Sequence, residues 1–165
     1  MTSVPYKPDH VPQLTPCLTV EAPEEAISFY ELAFGFERIG EPIVRNGLAV
    51  FAEMYCLEAR IMLQRQGSFS SPSQTPNSSE IQQGIGLYIY VPNIEMHYSR
   101  ATSCGATILS EVLDTFWGDR IYTVKDLDGY LWTFAQHVTE PQITEEEISN
   151  SGLILEEDEL DSLDE

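Results

Sequence analysis

An internal repeat constrains this chain more than any other feature of its sequence. Val20 and Val91 lie 71 residues apart, as do Gly47 and Gly118, while Gly35 and Gly105, like Glu41 and Glu111, lie 70 apart. The pattern of elements repeats with the same offset. In the first half Leu14 to Val20 predicts a short strand. Pro23 then fits a first helical turn, where its missing N–H costs nothing. Ala26, Phe29, Tyr30 and Ala33 follow helical i, i+3, i+4, i+7 spacing, and Gly35 supplies the stop. Three strands follow, at Phe36 to Ile39, Leu48 to Tyr55 and Ala59 to Gln64. The second half predicts a strand at Ile85 to Val91, then a helix capped by Asn93 and closed by Gly105. Its last three strands are Ala106 to Leu109, Arg120 to Lys125 and Tyr130 to His137, with Asp128-Gly129 as a hairpin signal. The fold class expected is α+β. Two tandem β-α-β-β-β modules, at 12–65 and 84–138, build a curved, mixed and largely antiparallel sheet that forms a cup. A single module leaves its helix face uncovered, so the two must share a core.

The segments outside the modules have another character. Residues 66–83 hold six Ser and two Pro without apolar periodicity, which reads as a mobile linker or lid. Residues 139–165 carry 11 of the 27 acids and no Lys or Arg, an acidic C-terminal tail after a domain at 1–138. Within the tail, Thr144 to Glu147 has capping-box spacing and Leu153-Ile-Leu155 could serve as a docking segment.

Charge and cysteine content narrow the function. The formal net charge of −19 repels phosphate backbones and anionic headgroups, so neither nucleic acid nor membrane is expected as a partner. Three widely spaced cysteines, Cys17, Cys56 and Cys104, suit a reducing compartment. The start of the chain has no basic stretch leading into an apolar one, so a cytoplasmic location is expected. No G-x-S-x-G, Gly-rich phosphate loop or His/Cys cluster is present.

Three stretches carry a resemblance to a known family. Leu18-Thr-Val-Glu-Ala-Pro-Glu-Glu-Ala-Ile-Ser-Phe-Tyr30 with Phe34-Gly-Phe36 is similar to the first strand and helix of the vicinal-oxygen-chelate superfamily. This group includes glyoxalase I, extradiol dioxygenases, and fosfomycin- and bleomycin-resistance proteins. Trp117-Gly-Asp-Arg120 with Asp126-Leu-Asp-Gly129 resembles its strand–hairpin signature, and Leu131-Trp-Thr-Phe-Ala-Gln-His137 its final strand. The likeness spans about residues 12–138.

The resemblance implies a cup and up to four metal-ligand positions, which fall on Thr15, Met62, Gly86 and Thr133. Hard cations want carboxylate or carbonyl oxygen, and zinc wants imidazole, thiolate or carboxylate. These four side chains supply none of those, so no metal or other cofactor is expected. Strand parity from the mapped positions adds Cys17, Arg60, Gln64, Tyr88, Tyr90, Leu131 and Ala135 to the wall. Tyr88 and Tyr90 could stack on a flat ligand and Arg60 could pair with an anion, while Phe116 and Trp117 could cover the mouth. His137 shares parity with Thr133 and reaches toward the rim. The expected ligand-binding set is thus Thr15, Cys17, Arg60, Met62, Tyr88, Tyr90, Trp117 and Thr133.

These residues predict a metal-free protein that sequesters or carries an apolar or aromatic small molecule, similar to the bleomycin-resistance branch. Because superfamily members commonly pair, a homodimer is expected. The alternatives are a metal-dependent lyase, isomerase or dioxygenase with displaced ligands, and an interaction module working through its acidic tail.

Overall fold

The computed structural model describes residues 6–9, 11–79, 84–141, 144 and 146. Most of the acidic segment, with Leu153-Ile-Leu155, lies outside the described residues, as does the helix expected from Thr144 apart from residues 144 and 146. The first module runs β1 (Cys17–Val20), α1 (Pro23–Phe29, continued by a π-helical turn at Tyr30–Phe34), β2 (Glu37–Arg38), β3 (Ile43–Arg45), β4 (Leu48–Cys56) and β5 (Ala59–Arg65). The second runs β6 (Leu87–Tyr90), α2 (Ile94–Ser103), β7 (Thr107–Asp114), β8 (Asp119–Lys125) and β9 (Leu131–His137).

Each module folds into its own sheet, with strand order β1-β5-β4-β2 in the first and β6-β9-β8-β7 in the second, and β3 also on β4. In both, the strand before the helix pairs in parallel with the last strand, and the remaining pairs are antiparallel. The register reproduces the repeat. Cys17 faces Met62 across β1 and β5, and Tyr88 faces Thr133 across β6 and β9, each residue 71 positions from its counterpart.

Local chemistry explains the helices. The Asn93 side chain accepts the Met96 N–H at 2.9 Å and caps α2, and Pro23 opens α1. The π turn after α1 directs Tyr30, Ala33 and Phe34 into the core together. That core is shared. Phe34 packs on Phe134 with ring centroids 4.9 Å apart, and Tyr30 and Phe36 each meet Trp132 at 5.6 Å. Arg100 on α2 donates to the Leu32 and Glu31 carbonyls at 2.7 Å, tying the two helical segments directly. His97 lies in the same seam, between the Phe34 carbonyl and the Tyr122 hydroxyl. The carbonyl can only accept, so Nε2 carries the proton and Nδ1 accepts from Tyr122. Burial holds the His97 pKa below its ordinary value.

This arrangement decides where a ligand can go. Ile61, Leu63, Trp132 and Phe134 point into the common core, so Arg60, Met62, Gln64, Leu131 and Thr133 occupy the opposite, open faces of the two sheets. Both helical segments pack against this common core.

The segment 66–79 departs from the mobile linker expected from its composition, because it is tied down as a strap. Gln66 Oε1 accepts the Thr75 N–H at 2.7 Å, and Thr75 is fully buried. The Asn77 N–H donates to the Asp128 carbonyl at 3.0 Å, and its side-chain amide donates to the Leu127 carbonyl at 2.8 Å. Gly129 has φ +97° and a Cβ there would stand 2.4 Å from Asn77 Oδ1, so the strap and the hairpin require glycine.

Candidate functional site

The site residues expected from sequence separate into two groups, one on each open face. On the first sheet, Cys17 and Met62 are neighbours across the β1–β5 ladder. The Arg60 guanidinium pairs with Glu53 at 2.5 Å, so it already faces an anion. Thr15, just before β1, and Arg60, on β5, each bury an atom, Oγ1 and Nε, that has no hydrogen-bond partner among the described residues. Gln64 donates to the Ser68 carbonyl at 3.4 Å.

A concavity of about 580 Å³ lies between β1, the strap and the approach to β6, lined by Leu14, Cys17, Thr19, Pro76, Ile85 and Tyr130. Cys17 lies on its wall, and partial burial pushes the thiol pKa up, away from the nucleophilic thiolate. Arg60 and Tyr88 share a smaller cleft of about 200 Å³. No side-chain hydrogen bond or ion pair among the described residues joins Arg60, Met62 or Gln64 to Tyr88, Tyr90 or Thr133.

The second sheet carries the more organised face. Tyr88 and Tyr90, on β6, stand edge to face with ring centroids 5.5 Å apart and are 47% and 54% exposed. Both hydroxyls donate to Oδ2 of Asp119 at 2.7 Å. Asp119 is only 2% exposed, and its other oxygen meets His137 Nδ1 at 3.0 Å. Thr133 and Ala135 lie beneath the two tyrosines by register. Trp117 is 38% exposed on the turn before β8, with Phe116 edge-on to it at 4.9 Å. The turn depends on Gly118, which has φ +96°. A Cβ there would lie 2.0 Å from the Thr139 carbonyl, and that carbonyl belongs to the chain leaving β9 just after His137.

The electrostatics fix the protonation states. Burial alone raises the Asp119 carboxyl, but the hydrogen bonds from Tyr90, Tyr88 and His137 outweigh it, and the net shift is downward. The carboxyl therefore stays ionised. Tyr88 is pushed up to about 12, first by burial and then by the Asp119 carboxylate, while the Trp117 indole N–H opposes the rise. The bond to Asp119 also raises Tyr90. Both phenols are thus protonated donors at neutral pH.

Asp119 is the functional residue that sequence reasoning overlooked. Its place in Trp117-Gly-Asp-Arg120 was visible, but its importance comes from facing His137 across β8 and β9, a register that no local pattern states.

At the four positions that the resemblance marks, the described side chains do not fit a divalent metal. Thr15, Met62, Gly86 and Thr133 offer two hydroxyls, a thioether and no side chain at all. Among the described residues, no three His, Cys, Asp or Glu side chains are grouped to hold a metal ion.

Comparison with known proteins places the fold. Residues 7–134 match the family model of the Glyoxalase/Bleomycin resistance protein/Dioxygenase superfamily. An uncharacterized protein of Mycobacterium tuberculosis (strain ATCC 25618 / H37Rv) is 29% identical over 136 residues, covering 81% of this chain and 79% of its own length. The crystal structure of TioX from Micromonospora sp. ML1 superposes with a TM-score of 0.64 at 25% identity, covering 78% of this chain and 100% of that one. A glyoxalase family protein from Bacillus cereus gives 0.61 at 20% identity, over 82% and 100% of the two chains. With the paired modules, the repeated register and a match over most of its length, the chain belongs to the glyoxalase/bleomycin resistance protein/dioxygenase superfamily.

Proposed function

We propose that this protein binds a small apolar or aromatic molecule, without a metal, on the open face of its second sheet. The observation that carries this reading is the pair Tyr88 and Tyr90, half-exposed yet held in place by one buried carboxylate. Rigid aromatic surface recognises flat ligands at low entropic cost, and pockets of this kind combine apolar walls with few polar anchors. The unpartnered Thr15 and Arg60 atoms on the first sheet support a ligand or water at that face too. The working form in this reading is a homodimer, whose second copy would cover the half-exposed Tyr88 and Tyr90 face.

The test is thermal. Purified protein should contain no stoichiometric divalent metal, and adding nickel, zinc, manganese or iron should leave its Tm unchanged. Saturating 2-methoxynaphthalene should raise it. A ligand at 100 times its Kd stabilises by about 2.7 kcal/mol, which shifts a domain of this size by about 2–4 °C per kcal/mol. Tyr88→Ala should remove that shift while the unliganded variant stays folded. Sedimentation should give twice the chain mass. Stoichiometric native metal, or an unchanged shift in Tyr88→Ala, would overturn the reading.

A further inference from the structure

The hydrogen-bond polarity of the Asp119 cluster specifies more than an aromatic ligand. Every donor in it points inward. The Tyr88 and Tyr90 protons go to Oδ2, and an ionised carboxylate can only accept, so the proton on His137 is at Nδ1, facing Oδ1. What remains toward solvent is acceptor capacity. Each phenol oxygen keeps lone pairs, and Nε2 of His137 has no partner among the described residues, on a side chain that is 52% exposed.

A carboxylate fixing one imidazole nitrogen, so that the other presents its lone pair outward, is how a histidine is held as a proton acceptor. Here the carboxylate sits beneath two aromatic rings. Resting on the binding reading above, we propose that Tyr88, Tyr90, Asp119 and His137 select aromatic molecules that carry a hydrogen-bond donor on the ring, such as a phenolic O–H. The ring lies against the two tyrosines and its donor meets His137 Nε2. Asp119 acts as a positioning residue, setting the imidazole tautomer without touching the ligand. An aromatic ether of the same shape keeps the ring contact and loses the hydrogen bond. A ligand offering only acceptors meets lone pairs.

Two probes of matched shape test this: 2-naphthol, which has the donor, and 2-methoxynaphthalene, which lacks it. Calorimetric titration of the native protein should show 2-naphthol binding about tenfold more tightly, the size that one good hydrogen bond carries. His137→Phe keeps a ring at this exposed position and removes the acceptor. It should bring the ratio to about one. Asp119→Asn should also reduce the ratio, by freeing the tautomer. If that buried change fails to fold, His137→Phe alone decides. Equal binding of both probes to the native protein, or a ratio unchanged in His137→Phe, would overturn the selectivity and leave the binding reading standing. Binding of neither probe would overturn both.

Discussion

The Tyr30 hydroxyl donates to the Asp126 carboxylate across 2.7 Å, although 96 positions separate the two residues. The same oxygen accepts the Trp132 indole N–H at 2.8 Å, and the other accepts the Tyr130 and Asp128 backbone N–H groups. Next to it, Asp128 accepts the Glu21 N–H at 2.8 Å, and the Tyr130 hydroxyl bridges the Thr19 N–H and carbonyl. The Asp126-Leu-Asp-Gly129 hairpin is therefore a clasp between modules. It also seats the strap through Asn77.

Removing one strand of the clasp should weaken the whole fold. Tyr30→Phe keeps the ring packing and deletes a buried hydrogen bond to a carboxyl group. Urea unfolding should show a loss of about 1–3 kcal/mol with an unchanged m value. A change below about 0.5 kcal/mol would mean that this hydrogen bond adds little to the joint between the modules.

Asp128 gives the clasp a pH signature. Burial, with the neighbouring carboxylates of Asp126, Glu21 and Glu25, pushes it up to about 6, against the opposing Glu21 N–H. Between about pH 4 and 6 the folded state holds a proton that the unfolded state has released, so this group's contribution declines as pH rises through about 6. Asp128→Asn should therefore stabilise the protein at pH 7, by up to about 3 kcal/mol. The gain should vanish below about pH 3, where Asp128 is protonated in both states. Unfolding curves at the two pH values check this, and an equal difference at both would contradict it. His97 works in the opposite sense. Its folded pKa is lowered, so its contribution is full above about 6.5 and is lost as pH falls.

Gly118→Ala should be costly. It places a side chain at φ +96° and a Cβ 2.0 Å from the Thr139 carbonyl, so the chain after β9 must move. A loss of about 2 kcal/mol or more is expected in thermal or urea unfolding. Gly47→Ala, at the equivalent repeat position, also has positive φ but meets nothing within 4 Å, and should cost less. Equal losses would show that backbone conformation alone is at issue.

Elements set by local chemistry were legible in the sequence, and those set by distant partners were not. Pro23, Gly35 and Asn93 punctuate their helices as expected, because caps act over one turn. Strand β3 gave no signal, since Ile43, Val44 and Arg45 are all exposed and do not alternate. The Asp128-Gly129 hairpin is present, but only Gly129 of the pair takes positive φ, and the Asp128 side chain accepts the Glu21 N–H. The strap read as linker because its partners Leu127 and Asp128 are some fifty residues away. Parity put Tyr88, Tyr90, Thr133 and His137 on one face. It could not name the ring contacts, such as Phe34 on Phe134, through which the two modules share their core.

The binding face itself can be observed directly by NMR. The chain has eight tyrosines, and labelling their rings with ¹³C gives a probe on each candidate surface. Tyr88 and Tyr90 lie on the open face, Tyr130 lines the concavity beside Cys17, and Tyr30 and Tyr122 are buried in the core. Titration with 2-methoxynaphthalene should shift the Tyr88 and Tyr90 ring signals together and saturably, leaving Tyr30 and Tyr122 in place. Saturable shifts confined to Tyr130, with Tyr88 and Tyr90 unmoved, would contradict a ligand site on the second sheet.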